Sequence, residues 1–129
     1  MRRVVVSGIG AVTPLGGDIK STWENLIKNK SGANLISKFD TSDFQTKISC
    51  EVPLKNDQES SASSFDSSKW FSSKDLRKVD DFIIFGVAAA EMALEDSLLK
   101  NHNFDPNKIG VGVGSVSYTH LTLPTILLV

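Results

Sequence analysis

Cysteine and histidine are scarce in this sequence of 129 residues. Its one cysteine is Cys50, and its two histidines are His102 and His120. One cysteine cannot form an internal disulfide, and one thiol with two distant imidazoles does not make a metal cage. We therefore expect no disulfide, metal or cofactor in the chain, and a reducing, cytoplasmic location.

An excess of either charge is also lacking. Lys and Arg number 14 against 15 Asp and Glu, so the formal net charge is −1. Binding to phosphate backbones by counterion release requires a basic excess, and this balance predicts that nucleic acid is not a partner. Hydrophobic residues make up 40% and charged residues 22%, which is typical of one globular domain.

Long apolar runs are missing as well. The longest uncharged apolar stretch inside the chain, 82–90, has nine residues, whereas a membrane span needs roughly 20. The apolar start at 4–6 is interrupted by Gly8 and Gly10 before a signal-peptide core is complete. The sequence therefore predicts neither a membrane anchor nor secretion.

Two segments have the composition of β-strands. Residues 2–9 contain three consecutive valines, 4–6, with no polar alternation, as in a strand buried on both faces of a parallel sheet. Residues 109–114 alternate Ile or Val with Gly, which predicts a second strand with one bare face.

Two segments have helical spacing. Asp18 is placed to cap a first helix that carries apolar residues at Ile19, Trp23, Leu26 and Ile27, and Gly32 is predicted to end it. Ser72, paired with Asp75 in a box-like arrangement, is predicted to cap a second helix over 73–99.

The middle of the second helix, 82–90, is apolar around its whole circumference. This predicts a helix buried on every side. Its small residues would let a neighbouring element approach closely; they are Gly86, Ala88, Ala89, Ala90 and Ala93.

A serine-rich stretch over 55–73 separates the two helices. It contains too little apolar surface to order itself, and we expect an exposed loop. Phe65, Trp70 and Phe71 near its far end are predicted to anchor it to the body of the protein. The order of elements is that of an α/β fold with a right-handed crossover between parallel strands, begun but not finished.

Most candidate sites favour a structural role. Gly8-Ile9-Gly10 lacks the third glycine of a dinucleotide loop, because Thr13 stands in its place, and Pro14 delays the helix. Nothing near Cys50 in the sequence would lower a thiol pKa, so a small, mostly buried residue is the expectation. His102 and His120 are predicted to be bystanders.

Lys74, Arg77 and Lys78 form a basic patch. Their spacing of i, i+3 and i+4 places them on one helical face near its start, where cations oppose the helix dipole. Charge pattern alone leaves two interpretations open, a binding surface and an ordinary solvated face.

Several segments together closely resemble the start of the β-ketoacyl-[acyl-carrier-protein] synthases, most of all the type II elongating enzyme. The resemblance covers nearly everything up to Ser115 except the serine-rich loop. The matching segments are RRVVVSGIGAVTPLG at 2–16, TWENL at 22–26, KSG at 30–32, FDTSDF at 39–44, RKVD at 77–80, ALED at 93–96 and IGVGVGS at 109–115.

The resemblance implies the N-terminal part of a thiolase-like fold of α-β-α-β-α layers, with buried helices in the middle layer. It implies homodimers that elongate fatty acids by decarboxylative Claisen condensation. A cysteine and two histidines carry that reaction in later parts of the family sequence, so we expect no catalytic residue in this chain. It also implies that Lys74, Arg77 and Lys78 dock acyl carrier protein, although Ser73 replaces a further basic position of the family.

Residues 116–129 depart from the family. They contain no Asp, Glu, Lys or Arg and resemble translated sequencing-adapter sequence. We therefore expect domain sequence over 1–115 and a non-native tail over 116–129. Two alternatives remain for the function: a ketosynthase domain of a polyketide synthase, and a non-catalytic binding module that ends at Val129.

Overall fold

The computed structural model describes residues 3–55, 63–101 and 105–114. Its main elements are helix α1 (Ile19–Ile27), strands β1 (Asn34–Leu35) and β2 (Ile48–Ser49), and helix α2 (Asp81–Asp96). Three short 3₁₀ helices lie at Ser67–Lys69, Leu99–Asn101 and Pro106–Lys108. No helix in the described part of the chain has the length and apolar character needed to cross a bilayer.

Helix α1 begins at the predicted cap. Asp18 Oδ1 accepts a hydrogen bond of 2.7 Å from the backbone N–H of Ser21, which satisfies one of the free amides of the first turn. The helix ends at Ile27, so the predicted end at Gly32 is wrong. Asn29 has a φ of 53°, and this left-handed conformation terminates the helix before the glycine is reached.

Helix α2 begins later than predicted. Only half of the capping box is present: the Asp75 N–H donates to Ser72 Oγ at 3.3 Å, whereas the Asp75 carboxylate accepts from the Ser72 hydroxyl at 2.6 Å and not, as in a full box, from the Ser72 backbone N–H. Residues 73–78 nevertheless form turns, and the helix starts at Asp81. Three cations in this short segment oppose the dipole of a helix that would start there, which favours the later start behind Asp80.

The prediction that this helix is buried on every side is wrong for the described residues of this chain, which cover only one face. In α2 only Ile84 and Ala88 are fully buried, while Phe82 is 65% exposed and Val87 is 43% exposed. Its apolar circumference therefore presents a covered face and an open face in the described part of the chain. An apolar circumference shows that any face of a helix can be buried. The neighbouring elements determine which face is buried.

The core forms where the serine-rich region returns to α2. Phe65, only 2% exposed, packs with Ile84 and Ala88, and Trp70 and Phe71 are partly buried against this cluster. The predicted aromatic anchors are thus confirmed. The Phe65 N–H donates to the Pro53 carbonyl at 2.7 Å, while residues 56–62 of the predicted loop lie outside the described residues.

The small residues of α2 permit the close approach that was predicted. Gly8 and Gly10 lie against its backbone, so that a Cβ placed on Gly10 would lie 2.7 Å from the Ala93 nitrogen. The Ile9 N–H also donates to Asp96 Oδ2 at 2.9 Å. Glycines in the N-terminal segment therefore serve packing against α2.

Neither predicted strand is present in the described residues. Residues 3–10 have no strand pairing, and Val4 is 95% exposed. Residues 109–114 likewise have none, and Val111 and Val113 are each 89% exposed. A strand requires a neighbour for its backbone N–H and C=O groups, and no described segment supplies one to either valine-rich segment.

The sheet that does form is antiparallel. Strands β1 and β2 pair Asn34 with Ser49 and Leu35 with Ile48, and they are the whole of the sheet within residues 3–55, 63–101 and 105–114. The prediction of a parallel sheet with a right-handed crossover is therefore wrong for these residues. The described part combines two helices with a small sheet, which is compatible with an incomplete α/β fold.

Candidate functional site

The segment 72–79, which we call the basic segment, carries the three predicted site residues. Lys74, Arg77 and Lys78 are all exposed. Leu76 and Val79 of the same segment are partly buried against the core cluster. Since apolar residues hold one side of the segment on the core, its cations are presented to solvent on the other side.

Hydrogen bonds hold the basic segment in a defined turn. The N–H groups of Asp75 and Leu76 both donate to the Ser72 carbonyl at 3.0 Å, and the Lys78 N–H donates to the Asp75 carbonyl at 2.9 Å. The guanidinium Nε of Arg77 donates to the Ser73 carbonyl at 3.2 Å. The structure thus brings all three cations onto one ordered turn, although not onto the predicted helix.

The three cations have no carboxylate partner among the described residues. The ion pairs found there are Lys38–Asp81, Lys55–Asp66 and Lys100–Glu91. Exposed cations without a fixed counter-ion keep their field directed toward solvent. Among the described residues, no ion pair has to be broken before the basic segment contacts an acidic molecule.

An ion pair borders the basic segment. Lys38 Nζ lies 2.9 Å from Asp81 Oδ2 in the first turn of α2, and the hydrogen bond to Asp81 raises the pKa of Lys38 above its usual 10.5. The sequence analysis missed this contact because 43 residues separate its partners. No local spacing rule could have found it.

Cys50 is exposed, so the prediction of a mostly buried residue is wrong. It follows the short strand β2 and lines a shallow groove of about 470 Å³ between the strands and α2. A two-stranded sheet leaves one side of such a residue open. His102 and His120 lie outside the described residues.

Metal-binding clusters are not found in the described part of the chain. No group of three or more His, Cys, Asp or Glu side chains there is placed to hold an ion. Gly110, Gly112 and Gly114 have nothing within 4 Å of an added Cβ and precede no described helix. The basic segment is therefore the candidate site that the described residues support best.

Comparison with known proteins places the chain in a family. The sequence model described as "Beta-ketoacyl synthase, N-terminal domain" matches residues 1–125. This match also takes in the first part of the divergent tail. A match over nearly the whole chain is sufficient to assign the family.

Curated relatives support the same assignment. A protein of Vibrio cholerae named 3-oxoacyl-[acyl-carrier-protein] synthase 2 is 40% identical over 114 residues, which are 88% of this chain and 25% of the relative. A Rhizobium meliloti protein of the same name is 37% identical over 113 residues, 88% of this chain and 26% of the relative. A Staphylococcus aureus protein of that name is 33% identical over 114 residues, again 88% and 25%.

The chain spans about a quarter of the length of these relatives. The residues that the family model matches, 1–125, include the N-terminal glycines, helix α2 and the basic segment between them. The family match and the curated relatives agree with the resemblance noted from the sequence segments. The chain belongs to the β-ketoacyl synthase family and corresponds to the N-terminal domain of that family.

Proposed function

We propose that this chain is the N-terminal part of a 3-oxoacyl-[acyl-carrier-protein] synthase that elongates fatty acids by decarboxylative Claisen condensation. The observation that carries the proposal is the 40% identity to a protein of that name over 88% of the chain. In this reaction, as the family resemblance implies, a cysteine takes the acyl chain and two histidines promote attack by the carbanion from malonyl-carrier protein. None of these three residues has a matching position in this chain.

The contribution of this chain to the reaction is then to bind the carrier. Acyl carrier protein is acidic, and Lys74, Arg77 and Lys78 offer it exposed positive charge on one turn. Charges at the rim of an interface act chiefly on the association rate, and salt screens them. The cations therefore steer the carrier toward the enzyme and leave the chemistry to residues elsewhere.

The assembly proposed for the intact enzyme is a homodimer of thiolase-like layered subunits in the cytoplasm. The small residues of α2 and its close contact with Gly8 and Gly10 support a tightly layered packing. The exposed valines at 4–6, 111 and 113 are suited to sheet positions. The single cysteine favours the reducing location.

The names of the curated relatives favour fatty acid elongation over a polyketide ketosynthase. Acyl-chain elongation distinguishes the proposed synthase from a non-catalytic binding module. A chimera of residues 1–114 joined to the remaining sequence of the Vibrio cholerae relative is expected to elongate acyl chains. A correctly folded chimera without this activity would favour the binding module.

The same chimera tests carrier docking. Reversal of Lys74, Arg77 and Lys78 to Glu is expected to raise KM for acyl-carrier substrate about tenfold at low salt and to leave kcat for a small thioester unchanged. A control variant reverses the exposed Lys20, Lys28 and Lys30, which changes net charge by the same amount elsewhere. Equal effects of both variants, or loss of small-thioester turnover, would contradict a docking role.

A further inference from the structure

Asp75 is an unexpected residue in a surface for an acidic partner. It lies beside Lys74 and lowers the net charge of residues 73–79 from +3 to +2. A carboxylate in this position repels an acidic carrier and weakens the field of the neighbouring cations. Electrostatic attraction of an acidic carrier would therefore be stronger without the Asp75 carboxylate.

The carboxylate of Asp75 is engaged in the turn. Its Oδ2 accepts a hydrogen bond of 2.6 Å from the Ser72 hydroxyl, and it takes part in no ion pair among the described residues. The Asp75 N–H donates to both the hydroxyl and the carbonyl of Ser72. Backbone groups of the same two residues accept the N–H bonds of Leu76 and Lys78.

These contacts decide where the cations lie. Leu76 and Val79 attach one side of the turn to the core, and the Ser72–Asp75 pair closes the part of the turn that contains Lys74. Arg77 is further oriented by its bond to the Ser73 carbonyl. Loss of the pair would free the part of the turn that precedes Leu76 and let Lys74 take many arrangements relative to Arg77 and Lys78, which costs ordering entropy at each encounter.

We propose that Ser72 and Asp75 are positioning residues for carrier docking: their reciprocal hydrogen bonds hold the turn that presents Lys74, Arg77 and Lys78 to an acidic carrier protein. This inference rests on the proposed function, since it assigns the residues that order the same surface. It gives the carboxylate among these cations a role, which is to order the turn.

Two substitutions of Asp75 distinguish the effect of losing its hydrogen bond from the effect of losing its negative charge. Asp75→Asn and Asp75→Ala remove the same negative charge, but only Asn keeps an oxygen that accepts the Ser72 hydroxyl. In the 129-residue chain, association with immobilised acyl carrier protein at low salt is expected to be equal to or faster than wild type for Asp75→Asn. For Asp75→Ala we expect association about threefold slower than for Asp75→Asn. Equal rates for the two variants would overturn the positioning role.

Substitutions of Ser72 provide an independent test, because they leave the net charge of the turn unchanged. Ser72→Ala is expected to slow association about threefold, and Ser72→Thr, which keeps a hydroxyl, restores it. Ser42→Ala is the matched control, because the Ser42 hydroxyl makes a similar 2.6 Å bond to Asp40 Oδ1 in another turn. Equal slowing by the Ser42 and Ser72 variants would overturn the proposal, since it would indicate general destabilisation.

A spectroscopic signature shows whether the geometry of the turn changes together with the association rate. The Arg77 Nε–H resonance reports the bond to Ser73, and we expect it to shift in Ser72→Ala and to stay unchanged in Ser42→Ala. If reversal of the three cations slows association but Ser72→Ala does not, positioning is wrong and docking stands. If the cation reversal also has no effect, the docking surface itself is wrong.

Discussion

At the residue scale, Gly8 and Gly10 set the distance between the N-terminal segment and α2. A Cβ on Gly8 would lie 2.6 Å from the Ser97 nitrogen, and one on Gly10 would lie 2.8 Å from the Met92 Cβ. These neighbours include helix backbone, which cannot rotate away as a flexible side chain does. Only glycine permits this approach without displacement of the segment.

Substitution Gly10→Ala is therefore expected to destabilise the chain by about 1–3 kcal/mol, the usual cost of overpacking. The control is Gly112→Ala, since nothing lies within 4 Å of a Cβ there, and its effect should stay within about 0.5 kcal/mol. Urea unfolding of both variants measures the difference. Similar free energies of unfolding for the two would contradict the close contact.

The Asp66 carboxylate provides a second test at this scale. Its pKa lies below the ordinary 3.8. The main cause is the hydrogen bond from the Ser68 hydroxyl, and the bond from Lys55 is the next largest cause. The charged form is thus favoured in the folded state. Its stabilising effect is present above pH 3.8 and is lost as the pH falls through the lower folded-state pKa.

Asp66→Asn is accordingly expected to reduce the free energy of unfolding at about pH 6, and the difference from wild type should shrink toward about pH 3. Denaturant titrations across this range test the sign. A difference that stays constant with pH would show that packing of the side chain, rather than its ionisation, causes the loss.

At the scale of elements, the two helices differ in how they begin. Helix α1 has a side-chain cap, in which Asp18 accepts from Ser21, whereas Asp80 before α2 makes no side-chain cap bond. The N-terminal N–H groups of a helix otherwise lack partners within it. A substitution at each cap position should therefore have unequal effects.

Asp18→Ala is expected to cost about 1 kcal/mol of stability, as for other lost caps. Asp80→Ala removes a charge near a helix start without removing a cap bond, so its cost should be smaller, about 0.3–1 kcal/mol at low salt. Thermal unfolding followed by circular dichroism compares them. A larger loss at Asp80 would indicate that α2 depends on its first turn more than α1 does.

At the scale of the whole molecule, we expect the chain to bind the carrier protein but to catalyse no acyl transfer. Purified chain incubated with acyl-carrier protein should form no covalent adduct on Cys50, although this thiol is exposed. Exposure permits contact, but acyl transfer also requires a base or an electropositive setting that lowers the thiol pKa. Stoichiometric acylation of Cys50 detected by intact mass would overturn this expectation.

The tail over 116–129 is the other whole-molecule prediction. It lies outside the described residues, and the proposal that it is non-native rests on its composition and its departure from the family. Its deletion should leave the free energy of unfolding unchanged or improved, because an apolar tail promotes association. A loss of several kcal/mol would mark it as native; the family match, which extends to residue 125, makes this comparison necessary.

The sequence by itself determined the features that depend on near neighbours. The Asp18 cap, the Ser72–Asp75 pair and the aromatic anchor Phe65 follow from short-range hydrogen bonding and from the hydrophobicity of single residues. The family also followed from the sequence, because its segments keep their order along the chain. The partners of the cap and of the Ser72–Asp75 pair lie within three residues, whereas for Phe65 the sequence predicted burial but not its partners Ile84 and Ala88.

Only the tertiary structure decided the features that depend on distant partners. It left the valine-rich segments 3–10 and 109–114 unpaired within the described residues, exposed Cys50, and joined Lys38 to Asp81 across 43 residues. Strand pairing and burial are relations between segments, so composition can show that a segment suits a sheet but not whether a neighbour is there. The basic segment combines both kinds of feature: local chemistry closes its turn, and the packing of Leu76 and Val79 on the core decides that its cations face solvent.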